Sequence, residues 1–104
     1  MQLVASMQGL EPGPAISLPI RLSPNSVRTI YFFTELRGLN GRPVIHRWEF
    51  NDRVMQERKL LPASQSWRAY TGMAISGGMR GRWRISAIDA TTGKVLAQER
   101  FTVE

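Results

Sequence analysis

The sequence contains no cysteine, and that absence excludes disulfide cross-links, thiolate metal sites and a cysteine nucleophile. It leaves the compartment open, because a chain without thiols suits oxidising and reducing surroundings alike. Histidine is reduced to one residue, His46. A zinc centre needs three or four ligands, and one imidazole without thiolates is poor material for it. Lysine is scarce: Lys59 and Lys94 stand against twelve arginines. Long apolar runs are missing. The longest covers about residues 30–33, far short of the roughly 18 needed to cross a bilayer as a helix. No basic stretch followed by an apolar core opens the chain, so no signal peptide is expected there.

What is present is the material of one ordinary domain. The chain has 104 residues, of which 42% are hydrophobic, 9% aromatic and 21% charged. That profile is globular rather than disordered, and the length is enough for one core without staples. A single domain over residues 1–104 is expected, as a module of a longer protein. The formal charge is +6, carried almost wholly by guanidinium groups, which suit bidentate pairing with carboxylate or phosphate. The arginines form no dense run, so pairing with nearby glutamates accounts for them more simply than a nucleic-acid footprint.

Turn-forming residues recur every eight to twelve positions, with apolar side chains alternating between them. That is the pattern of a sandwich or barrel. Short strands are expected over 3–7 and, weakly, 16–22, where Pro19 marks an edge. Glu11, Pro12, Gly13 and Pro14 should break the chain between them. The strongest strand is 27–36, rich in β-branched and aromatic residues, with Ile30, Phe32 and Leu36 on one face and Tyr31, Phe33 and Glu35 on the other. Asn40-Gly41 reads as a hairpin signal with a loop longer than two residues. Strand 43–50 should point Val44, His46, Trp48 and Phe50 one way, and Asn51-Asp52 should turn it into 53–61. Further strands are expected at 66–75, at 81–89 with Trp83, Ile85 and Ala87 inward, and at 94–103 with Val95, Ala97, Phe101 and Val103 on the apolar side. No segment holds a helical period. The expected fold is all-β: an antiparallel β-sandwich of about seven strands, Ig-like in architecture.

Catalytic material is thin. His46 shares the inward face of Trp48, which reads as a buried structural histidine. Asp52 and Asp89 could orient it, but no G-x-S-x-G nucleophile accompanies them. The stretch 77–81 is glycine-rich yet lacks the lysine of a phosphate cradle. Asp89 to Gly93 reads as a turn rather than a calcium loop. No catalytic residue, metal ligand or cofactor is therefore assigned. Met7, Met55, Met73 and Met79 read as fillers of core or rim. Each tryptophan adjoins an arginine, as in Arg47-Trp48, Trp67-Arg68 and Arg82-Trp83-Arg84. On a strand, neighbours face opposite ways, so the indoles can enter the core while guanidinium groups line a surface. The candidate ligand-binding residues are Arg47, Arg68, Arg82, Arg84, Tyr31 and Tyr70, and strand order decides whether they converge.

Several segments together carry a resemblance. These are T-I-Y-F-F-T-E-L-R-G from Thr29, H-R-W-E-F-N from His46, W-R-A-Y from Trp67, G-R-W-R-I from Gly81, G-K-V-L from Gly93 and F-T-V from Phe101. In order and spacing they resemble the bacterial family called domain of unknown function 2914, from about Val27 to the C-terminus. The chain departs from that family's pattern at Tyr70-Thr71-Gly72-Met73 and at Gly77-Gly78-Met79, where a loop's specificity could differ. The resemblance implies a β-sandwich and a module attached to a membrane-associated or multidomain protein, and implies no activity. The expectation is a non-enzymatic interaction module. Its partner would be a protein or a polysaccharide, the latter bound through exposed rings and arginines. Nucleic acid ranks last.

Overall fold

The computed structural model describes residues 2–5 and 7–104. Among these are nine strands and no helix: β1 (Gln2–Val4), β2 (Met7–Gln8), β3 (Glu11–Pro12), β4 (Val27–Arg37), β5 (Val44–Phe50), β6 (Arg53–Leu60), β7 (Ser66–Ser76), β8 (Gly81–Asp89) and β9 (Val95–Val103). Seven of them form two antiparallel sheets, ordered β1-β4-β7 and β6-β5-β8-β9, while β2 and β3 pair as a separate hairpin. Alternation along the strands aims one set of side chains from each sheet into a shared interior. Ile30, Phe32 and Leu36 of β4 meet Val44 and Trp48 of β5, Trp83 and Ile85 of β8 and Phe101 of β9 there.

Trp48 and Trp83 are the two largest fully enclosed side chains, and Trp67 is half-buried against the same core. The interior also holds a polar set. His46 is wholly buried, with Nε2 3.0 Å from Thr34 Oγ1 and Nδ1 3.0 Å from Thr71 Oγ1. The Trp48 indole N–H donates to the same Thr71 oxygen at 2.9 Å. An indole can only donate, so Thr71 accepts from Trp48 and can pass its own proton to His46 Nδ1, leaving the Nε2–H to donate to Thr34. The histidine is thus a strut between the sheets, joining β5 to β4 and β7. Thr71→Val keeps the shape but strips Trp48 and His46 of a partner. It is expected to cost about 2 kcal/mol, read by urea denaturation, because each stranded buried group bears its own desolvation penalty.

Turns follow the sequence in some places and not in others. Asn51 and Asp52 both adopt positive φ (47° and 66°), making the tight two-residue link between β5 and β6. Asn40-Gly41 does not make a hairpin. β4 and β5 lie in different sheets, and the 38–43 connection crosses between them. It is braced by the other crossing, 61–65, through Gly38 N–H to Gln65 O at 2.8 Å and Gly41 N–H to Pro62 O at 2.9 Å. Gly77 is a glycine for lack of room: a Cβ there would lie 1.9 Å from the Ser23 carbonyl oxygen. Gly77 therefore serves close chain approach.

The N-terminal part departs most from expectation. The 3–7 segment is not one strand: β1 ends at Val4 and β2 begins at Met7, with position 6 outside the described residues. Glu11 and Pro12 do not simply break the chain, since they pair with Met7 and Gln8. The 16–22 segment forms no regular strand and straddles both sheets. Ala15 bridges Val4 antiparallel, and Ile20 bridges Val103 in parallel. Hydrogen bonds from Ile20 N to Thr102 O and from Glu104 N to Ile20 O lay the segment along the β9 edge, consistent with the edge position of Pro19. At the other end of β9, an irregularity between Ala87 and Ile88 shifts the register, and Val95 is 49% exposed instead of inward.

Candidate functional site

The six residues singled out from the sequence divide between the two outer faces. On the four-stranded sheet, register sets Arg47 opposite Ser86 and Glu57, and Glu49 opposite Arg84, which in turn faces Arg100. Arg47, Arg82 and Arg84 therefore share one face. Arg68, Tyr31 and Tyr70 lie on the outer side of β4 and β7, across the thickness of the sandwich. The arginines do not converge as a single set of four.

The two tyrosine rings of the β4–β7 face are not coplanar. Tyr31 and Tyr70 meet edge to face, with ring centroids 5.9 Å apart and planes at 72°. Tyr31 lies over Gly72, where a Cβ would come within 2.8 Å of its ring. Phe33 is buried, while Tyr70 is 39% exposed. The Arg68 guanidinium is taken by Glu11 of β3 at 2.6 Å, which ties the N-terminal hairpin to this face. Beside it, the hydrogen bond and charge of Arg37 hold the Glu35 carboxyl below its ordinary value.

The opposite face carries a groove of about 610 Å³, within the usual range for ligand sites. Arg82, Arg84 and Arg100 border it, Leu18, Pro19 and Thr102 close one side, and Trp83 and Phe101 reach it from the core. Its carboxylates are already engaged. Arg84 bonds Glu49, whose hydrogen bond and charge raise the guanidinium above its ordinary value, and Asp52 adds to this. Asp52 stands 3.8 Å from both Arg82 and Arg84, and Glu104 stands 3.7 Å from Arg21. Arg47 pairs with Glu57 at 3.1 Å.

Arg100 differs. Its Nε and Nη2 both donate to Gln98 Oε1 at 3.3 Å, and Gln98 in turn donates to Ser86 Oγ at 3.0 Å. Sequence reasoning missed this residue. The available signal was the i−2 spacing of Gln98 and Arg100, which puts both on one face of a strand.

His46 takes no part in the groove. Its partners are threonines rather than Asp52 or Asp89, and burial pushes its pKa down to about 4. Asp89 is held by Arg42 at 2.5 Å and accepts the Thr91 backbone N–H, as a turn would require. Among the described residues no group of three His, Cys, Asp or Glu side chains could hold a metal ion, and no helix is long and apolar enough to cross a membrane.

A cysteine-free antiparallel β-sandwich with an arginine-bordered groove on one sheet defines the class of protein. The chain belongs to the family described as Protein of unknown function (DUF2914), whose family model matches residues 42–103. The match begins in the crossing that precedes β5, so it covers β5 to β9 and leaves β4 outside. A search of the curated proteins found no match, and neither did a search of the solved structures.

Proposed function

We propose that this chain is a non-enzymatic interaction module of immunoglobulin-like shape, attached to a membrane-associated or multidomain bacterial protein, that docks an acidic polypeptide segment on the four-stranded sheet. The carrying observation is the groove, where guanidinium groups from β8 and β9 stand beside the apolar Leu18 and Pro19. Lettered along the chain, the main strands give A-B-E packed on C′-C-F-G, and a buried tryptophan, Trp48, sits on the C strand, both of which support the immunoglobulin-like reading. The lone histidine is enclosed in the core rather than presented to the groove, which supports a role without catalysis.

A carbohydrate polymer is the second reading, favoured by Tyr70, which is exposed beside Arg68 on the other face. Fluorescence anisotropy with labelled oligoglutamate, labelled single-stranded oligonucleotide and labelled polygalacturonate separates these readings. The expected result is saturable binding of oligoglutamate that weakens severalfold as salt shortens the Debye length below about 8 Å. Tighter binding of the oligonucleotide, or of polygalacturonate, would overturn the polypeptide reading in favour of that ligand.

A further inference from the structure

We infer that the groove contains a preformed seat for one carboxylate at Arg100, kept open by a neutral brace; this rests on the docking function proposed above. On this face Arg47, Arg82 and Arg84 each have a carboxylate within reach. Arg100 has none within 4.0 Å among the described residues, and its partner is the amide oxygen of Gln98. An amide orients a guanidinium without cancelling its charge. Gln98 is itself fixed by the buried Ser86 hydroxyl, so the chain Ser86–Gln98–Arg100 runs from a rigid strand outward and holds the fork in one pose. Nη1 has no partner among the described residues. Arg84, opposite Arg100 in register, does not repel a second cation there because Glu49 and Asp52 offset its charge. Two residues along β9, the exposed Thr102 lies on the same face and lines the groove, offering a hydroxyl to the second oxygen of an incoming carboxylate. The occupant that fits is a glutamate or aspartate side chain of an acidic polypeptide segment.

The test uses the full chain and labelled oligoglutamate. Three variants each lower the net charge by one at an exposed position: Arg100→Gln, Gln98→Glu and Arg28→Gln. Gln98→Glu leaves Arg100 in place but supplies the missing carboxylate beneath it. Arg28 lies on β4, in the other sheet. Arg100→Gln and Gln98→Glu are each expected to weaken binding about tenfold or more, as loss of a charge-assisted hydrogen bond does. Arg28→Gln should change it less than about twofold. Equal weakening by Arg28→Gln would overturn the seat, because overall charge would then explain binding. Unchanged affinity in both groove variants would also overturn it, while leaving the docking function standing. Failure of the unmodified chain to bind oligoglutamate would remove the docking function itself and the seat with it.

Discussion

Replacing Trp83 by alanine is expected to lower the unfolding free energy by about 3–5 kcal/mol, the range for losing a large buried aromatic. The indole is 1% exposed. It is stacked against Phe50 at 4.9 Å and Phe101 at 6.0 Å, and its N–H donates to the Met79 carbonyl at 3.3 Å. Removing it leaves a cavity between rings from β5 and β9 that the rigid ladder cannot close. The loss is a large share of the roughly 5–15 kcal/mol that holds a domain of this size together. Because Trp83 also reaches the groove, the same variant should bind oligoglutamate more weakly under conditions where it is still folded. Trp83→Phe, which keeps a ring in the stack, should lose much less. Chemical denaturation of all three proteins checks the ordering, and an alanine variant as stable as the parent would contradict the placement of this ring in the core.

Acid should weaken the fold through His46 before carboxylate titration is complete. In the unfolded chain this imidazole takes up its proton near pH 6.5, whereas in the folded protein burial holds its pKa down to about 4. Between those values the unfolded chain binds more protons, so stability falls as pH falls. The contribution is whole above pH 6.5 and gone below about 4. Its size is about 3 kcal/mol, since each tenfold change in proton affinity is worth about 1.4 kcal/mol. Among the described residues no carboxylate bonds the ring to hold the proton. Thr34 of β4 and Thr71 of β7 bond its nitrogens, and Phe32 stands edge-on at 4.9 Å. His46→Gln should be less stable at neutral pH but lose little between pH 6.5 and about 4. Urea midpoints across that window read the difference, and parallel slopes for the two proteins would rule His46 out as the cause.

The proton-linked strut was partly legible in advance, since His46 two residues from Trp48 on an alternating strand had to share its face. The threonines that bond it come from strands 12 residues before it and 25 residues after it, and no local pattern announces that meeting. The same limit explains the misread loop. Asn40-Gly41 has hairpin chemistry, but a turn dipeptide encodes only the local reversal, and the sheet that receives the next strand is chosen by where its apolar face can be buried. The N-terminal segment misled for a related reason. Proline and glycine mark it as irregular, yet its edge contacts depend on backbone groups, whose hydrogen bonding carries no side-chain signature.

The positions of strands β4 to β9, the inward set of Ile30, Phe32, Trp48, Trp83 and Ile85, and the exclusion of disulfide chemistry were settled by the amino-acid order alone, because alternation and composition are properties of neighbours along the chain. Tertiary structure alone decided that Arg68 lies across the sandwich from Arg84, that Glu49 and Asp52 engage the groove arginines, and that Arg100 keeps its charge uncancelled. Those outcomes depend on cross-strand register, which the whole core sets at once by burying both inner faces.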